Sequence, residues 1–159
     1  MSEADFKRDL AYSYEENDDK VLNNYYIEKF PLADYIETVR FDERPDLQKR
    51  GIDKIIHMKN GGTITVDEKK YRKNHDNVLL EVWSDNGETG REKKLGWLYT
   101  DTCDYIVEYT PCVGKIILLP RLILQMAWSK HKHIWMKLSN AVAKLQNRGY
   151  VTVAVKQFF

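Results

Sequence analysis

IDKIIHMKNGGTITVDEKKY, residues 52–71, is the stretch that decides the fold. Ile52 to Met58 is a β-branched run, Asn60-Gly61-Gly62-Thr63 is a tight-turn signal, and Ile64, Val66 and Glu68 then alternate against Thr65, Asp67 and Lys69. Together these features predict a β-hairpin. Side chains alternate across a strand, so Asp67 and Lys69 project from one face while Glu68 points away from it. Asp53 belongs to the facing strand, and cross-strand neighbours sit ~5 Å apart. The hairpin therefore brings two carboxylates and one ammonium together at its end.

Upstream, KVLNNYYIEKF (residues 20–30) spaces Val21, Leu22, Tyr25, Tyr26 and Phe30 helically, and Pro31 stops the helix. LADYIETV (residues 32–39) is read as a helical resumption before the turn-rich FDERPD. Downstream, NVLLEVWS and DYIVEY read as strands, and KIILLP as a strand or the lead-in to a helix. Pro120 suits the first turn of a helix through RLILQMAWSK, whose apolar residues surround the axis and predict burial. SNAVAKLQN reads as a second helix stopped by Gly149, and YVTVAVKQF as a closing strand. The expected fold is α/β, with a mixed central β-sheet flanked by helices.

The 159 residues, 43% hydrophobic and 31% charged, fit one globular unit on a prior of ~150 residues per domain. We divide the chain into an acidic N-terminal segment, residues 1–19, read as flexible or as an exposed helix, and a single domain over residues 20–159. Cys103 and Cys112 are too few for a disulfide scaffold and lack zinc-ligand spacing; both read as small buried side chains. No apolar run approaches the ~20 residues of a membrane span, and MSEADFKRDL is too polar for a signal peptide, so the expected location is cytoplasmic. The net charge of +1 conceals segregation. Residues 1–43 carry 12 acidic and 5 basic side chains, residues 44–73 carry 4 and 9, residues 74–111 carry 8 and 3, and residues 112–159 carry none and 8. Two segments are thus basic enough to build a polyanion-binding surface, unless they are neutralised by the acidic ones.

Two convergent carboxylates suit a hard cation such as Mg²⁺, which retains waters and accepts a phosphate oxygen. An adjacent Lys can assist the attacking water or stabilise charge in the transition state. Asp53 and Asp67 are the metal-holding pair and Lys69 the assisting ammonium, the parts that phosphodiester hydrolysis requires. The same residues resemble the PD-(D/E)XK nuclease superfamily: Gly51-Ile52-Asp53 as the first element and Val66-Asp67-Glu68-Lys69 as the second. Ile52 stands where the name-giving Pro would be. The resemblance covers residues 20–110 and extends in wording to small phage and mobile-element proteins, which would act in the host-cell cytoplasm. It implies a restriction-endonuclease-like core and a Mg²⁺-dependent deoxyribonuclease, with Mn²⁺ substituting, of endonuclease or resolvase rather than exonuclease type. It also implies an acid on the first helix, for which Glu28 is the match and Asp34 and Glu37 are rivals.

Glu81 interrupts the apolar strand LLEVW, and a buried carboxylate needs a cation or hydrogen-bond partner, so it joins the catalytic set or faces solvent. Gln48, Lys49 and Arg50 before the first motif, and Lys70, Arg72 and Lys73 after the second, are candidate phosphate contacts, with Tyr71 a stacking face for a base. Lys115, Arg121, Lys130, Lys132 and Lys137 would extend that surface. His131-Lys132-His133 lacks accompanying ligands and reads as a polar helix end, the four tryptophans as core, and Asp101 and Asp104 as turn residues. The expected partner is DNA, with RNA as the other polyanion, and a homodimer would suit an enzyme that cuts two strands. The competing reading is a non-catalytic nucleic-acid-binding or structural phage protein that retains a nuclease-like fold.

Overall fold

The computed structural model describes residues 15–75, 77–85, 87, 90, 92–138, 142–144 and 151–155. Helix α1 spans Glu16–Lys29, with Glu16, Asp18 and Asp19 in its first turn and Lys29 in its last, an arrangement that suits the helix dipole. Leu22 and Tyr26, four residues apart, are its buried contacts. The helix takes in residues 16–19 of the acidic segment, while residues 1–14 lie outside the described part.

LADYIETV does not continue as a helix. Ala33–Thr38 is strand β1, antiparallel to β2 (Lys54–Met58) in a register that opposes Tyr35 to His57 and Thr38 to Lys54. Pro31 breaks the helix, and Tyr35, Ile36 and Thr38 then suit a strand as soon as β2 offers a ladder. The predicted hairpin is present: β2 pairs with β3 (Thr63–Lys70), Lys54 opposite Val66 and His57 opposite Thr63. Its turn is closed by the Gly61 amide on the Met58 carbonyl, with Gly61 at φ +84°.

After the short helix α2 (Pro45–Gln48), the chain forms β4 (Val78–Asp85), β5 (Lys94–Leu95), the one-turn helix α3 (Trp97–Thr100) and β6 (Tyr105–Thr110). Strand β7 (Lys115–Pro120) and helix α4 (Arg121–Leu138) follow, so KIILLP is a strand and Pro120 ends it rather than starting the helix. Val142–Lys144 is strand β8, which corrects the helix read over SNAVAKLQN, and β9 is Val151–Val155. Pairing with β9 overrides a local pattern that fits a helix equally well.

Two sheets result. The mixed one runs β1-β2-β3-β6-β7, antiparallel throughout except for parallel β3 and β6; the other runs β5-β4-β9-β8. Leu22 and Tyr26 of α1 pack with Ile56, Val66, Val107 and Tyr109 on one face of the mixed sheet. A larger core contains Ile106 and Leu119 of the mixed sheet, Val78, Leu80 and Val82 of β4, Trp97 and Leu98 of α3, and Leu124 and Trp128 of α4. Trp83 and Trp135 pack against that core. Helix α4 is not buried all round: Leu122, Ile123, Met126 and Ile134 are exposed. Cys103 is buried as expected, but Cys112 is exposed. None of the described helices is long and apolar enough to cross a membrane.

Candidate functional site

Asp53 immediately precedes β2, and its carboxylate extends the hairpin ladder by one bond. The Asp53 amide donates to the Val66 carbonyl at 2.8 Å, and the Glu68 amide donates to Asp53 Oδ2 at 2.7 Å. Gln48 Nε2 fixes the other oxygen, Oδ1, at 2.8 Å while also donating to the Val39 carbonyl at 2.6 Å. On the same sheet face, Lys69 Nζ lies 2.6 Å from Asp67 Oδ2 and 3.7 Å from Asp101 Oδ2. The ammonium is also 5.5 Å from the centre of the Trp97 ring. Gln48, Asp53, Asp67, Glu68, Lys69 and Asp101 line a cavity of about 280 Å³.

The α1 side of the same cavity is a second polar layer. Tyr26 donates its hydroxyl to Glu68 Oε1 at 2.8 Å. Lys54, only 1% exposed, donates to Asp19 Oδ1 and Thr38 Oγ1, each at 2.9 Å. Lys70 is ion-paired with Asp18 and lies 3.4 Å from Glu15, and Tyr109 donates to Asp18 at 3.3 Å. The acidic first turn of α1 thus neutralises two lysines at the cavity edge, a partial pairing of the oppositely charged sequence segments.

Negative charge remains in excess on the hairpin side, where Asp53, Asp67 and Asp101 surround the single ammonium of Lys69. Burial, and then the neighbouring Asp67 carboxylate, raises Asp53 to about 7. Burial also raises Asp67 to about 7; Lys69 opposes that rise and Asp101 adds to it. Glu68 is raised to about 7, chiefly by burial, against the pull of Lys54. The basicity of Lys69 is raised by Asp67, Asp101 and Asp53, which outweigh its burial. Asp67 Oδ2 and Asp101 Oδ2 are both buried and accept no directed hydrogen bond, although the former contacts the Lys69 ammonium. Hard oxygens that share one ammonium, and that carry excess negative charge when all are ionised, fit a divalent cation. Among the described residues, no three His, Cys, Asp or Glu side chains converge, as they stand, in a way that would hold a metal ion.

Several expected site residues lie elsewhere. Glu28 is exposed on α1 and does not line the cavity; the helix acids that do are Asp18 and Asp19, near the opposite end of the helix. Glu37 contacts His57 Nε2 at 2.9 Å, and Asp34 is exposed. Glu81 faces a neighbouring cavity shared with Lys69, Tyr71 and Trp97. Burial raises its pKa, while Lys69 and the Trp97 amide counter the rise.

Among the expected phosphate contacts, Gln48 positions Asp53, Lys70 is committed to α1, and Lys49, Arg72 and Lys73 are exposed. Arg50 is exposed and donates to Thr102 Oγ1 at 3.2 Å. Tyr71 is half-buried: its hydroxyl donates to Glu108 and its ring meets His75 edge-on at 5.7 Å. Lys115 donates to the His75 carbonyl at 2.7 Å, and Arg121 to the Cys103 carbonyl, which removes both from a free basic surface. His131 stacks on Trp135.

Two site residues escape a reading of the sequence. Glu68 points to the other face, as its position requires, yet borders the same cavity because Asp53 sits at the strand end. Asp101 is a buried wall residue rather than a turn decoration, and no local signal marks it.

No protein-family model, curated protein or solved structure matches the chain. Any functional reading therefore stands on the residues themselves.

Proposed function

We propose that this chain is a metal-dependent nuclease that hydrolyses DNA phosphodiester bonds. The observation that carries the reading is the buried, over-acidic junction of Asp53, Asp67 and Lys69 at one end of the β2–β3 hairpin. The order of a helix, an antiparallel three-strand meander and a further strand parallel to β3 accords with a restriction-endonuclease-like core. It supports the resemblance to PD-(D/E)XK nucleases seen in the motif residues.

In this reading Asp53 and Asp67 hold Mg²⁺, or Mn²⁺ in its place. When bound, the cation supplies positive charge to a phosphate oxygen and lowers the pKa of water. Gln48 and the Glu68 amide keep the Asp53 carboxylate oriented, which preserves its geometry without drawing on substrate binding energy. Water attacks phosphorus in line, forming one P–O bond as the bond to the leaving sugar oxygen breaks. Lys69, held by Asp67 beside the cavity, stabilises the charge that develops on the phosphoryl oxygens. Lys49 and Lys73 are exposed cations that meet the DNA backbone in this reading.

A non-catalytic protein of the same fold is the second reading. It is favoured by the engagement of Lys54 and Lys70 with carboxylates of α1, which removes two cations from a nucleic-acid surface. Incubation with supercoiled, linear, single-stranded and branched DNA, and with RNA, in Mg²⁺ or Mn²⁺ separates the two. Cleavage by the parent protein, lost in Asp67→Ala and Lys69→Ala, is the result expected of the nuclease. Salt-sensitive binding with no cleavage by the parent, or equal cleavage by the variants, overturns the proposed site. Light scattering on the same samples tests the expected homodimer.

A further inference from the structure

We propose that Asp101 is a third carboxylate of the divalent-cation site, delivered by the end of α3 rather than by the hairpin; this rests on the reading that Asp53 and Asp67 hold a cation. Asp101 is 6% exposed, lines the cavity, and its Oδ2 accepts no hydrogen bond. Facing it across Lys69 is Asp67, 3% exposed, whose Oδ2 also lacks a directed hydrogen bond. The one Lys69 ammonium is close to Asp67 but 3.7 Å from Asp101 Oδ2, and a buried carboxylate oxygen so weakly met is costly unless a further cation meets it.

Its neighbour Asp104 shows what a structural aspartate does in this loop. Asp104 Oδ2 accepts from the Thr65 amide at 2.8 Å and the Thr65 hydroxyl at 2.9 Å, which ties the loop to β3. Asp101 Oδ2 ties no backbone amide or hydroxyl and meets only the Lys69 ammonium, 3.7 Å away, yet its carboxylate is closely accommodated. Gly51 adopts φ +68°, and a Cβ there would stand 2.3 Å from Asp101 Cγ, so both the backbone conformation and the approach of the carboxylate require glycine. The Thr102 amide donates to the Arg50 carbonyl at 2.8 Å, and the Asp101 amide to the Trp97 carbonyl at 3.1 Å. The residues that place Asp101 are thus those immediately before Asp53, and the two carboxylates share one support.

A single ammonium within reach of both oxygens leaves this set under-neutralised. Lys69 also borders the adjoining cavity, where Glu81 and Trp97 form the wall, so its side chain has somewhere to withdraw when a dication takes its place. A third carboxylate adds charge and one more hard oxygen to the hairpin pair for a small oxygen-seeking ion such as Mg²⁺ or Mn²⁺ that keeps some of its waters.

Mn²⁺ binding, followed by the electron paramagnetic resonance of the free ion, tests the assignment without reference to cleavage. The parent protein, Asp67→Asn, Asp101→Asn and Asp104→Asn are titrated in parallel, each checked for its fold by circular dichroism. We expect Asp67→Asn and Asp101→Asn each to weaken Mn²⁺ at least tenfold. Asp104→Asn, which removes the same charge from the same loop, should stay within twofold of the parent. Should Asp101→Asn not fold, Asp101→Ser is read against the same thresholds. If Asp67→Asn loses Mn²⁺ while the Asp101 variant binds as the parent does, Asp101 is not a ligand and the hairpin site stands. If Asp101→Asn and Asp104→Asn weaken binding equally, the effect is diffuse charge and the assignment fails. If the parent itself binds no Mn²⁺, the hairpin site falls, and this assignment with it.

Discussion

Replacing Glu108 by Gln should make the protein more stable at pH 8 and leave it little changed near pH 4. Glu108 lies in β6, 4% exposed, in register with Lys69 of β3. It accepts the Leu79 amide at 2.9 Å and the Tyr71 hydroxyl. Burial raises its pKa from 4.5 to about 8, against the opposing pull of these bonds and of Lys115. The unfolded chain loses this proton near 4.5 while the folded protein holds it up to about 8. Between those values the unfolded state binds fewer protons, so stability falls as pH rises. At ~1.4 kcal/mol per pH unit the full penalty is about 5 kcal/mol, of which about 3 to 4 kcal/mol develops between pH 5 and pH 8. Gln keeps an acceptor for the Leu79 amide, and its NH₂ can donate to the Tyr71 oxygen, so the substitution removes charge with little loss of bonding. Asp53, Asp67 and Glu68, raised in the same direction, are present in both proteins and cancel from the difference. Urea unfolding followed by tryptophan fluorescence, in half-unit steps from pH 4 to pH 8 without added divalent cation, measures that difference directly. Two parallel stability curves, or a Gln variant that is weaker at pH 8, would refute the reasoning.

Gly51→Ala should lose about 2 to 3 kcal/mol, because a positive φ and contact with Asp101 both oppose a side chain; urea unfolding at pH 7 reads the loss. Tyr26→Phe should cost about 1 to 3 kcal/mol and raise the Glu68 pKa further, since the donor at 2.8 Å is removed; a thermal melt and a carboxyl titration by NMR check the two parts. Simultaneous Lys49→Glu and Lys73→Glu should weaken DNA binding and flatten its dependence on salt while the melting temperature holds, as fluorescence anisotropy at several salt concentrations would record.

The hairpin and the shared face of Asp53, Asp67 and Lys69 were legible because each rests on short-range rules: alternation, a Gly-Gly turn, and cross-strand proximity. Helix α1 was legible from the spacing of Leu22 and Tyr26 and from the stop at Pro31. Residues 32–39 and 142–144 were misread as helix because their apolar spacing serves either element, and the ladder partner that decides between them is distant in sequence. The burial of α4 was overestimated, since an apolar side chain on every face of a helix does not specify which faces find a neighbour. Asp101 was illegible for a stronger reason. Its burial depends on Gly51, on the Arg50–Thr102 bond and on the placement of α3, none of which leaves a pattern around residue 101. Tyr71 and Lys70 looked like surface cations and stackers because the acids that engage them lie on α1 and β6.

The parallel pairing of β3 with β6 also bears on how the molecule assembles in time. Val66 meets Tyr105 only after the intervening chain, with β4, β5 and α3, has been looped out, and the Arg50–Thr102 bond spans a similar interval. Closing such loops before their contacts reward it is the slow part of folding. The β2–β3 hairpin is local and can form early, carrying Asp53, Asp67 and Lys69 with it, whereas Asp101 joins them only at closure. A nascent chain would therefore display the hairpin carboxylates well before the cavity has its remaining wall. The completed pocket is accordingly a late product of folding, and its opening should track unfolding of the central sheet rather than fraying of the hairpin.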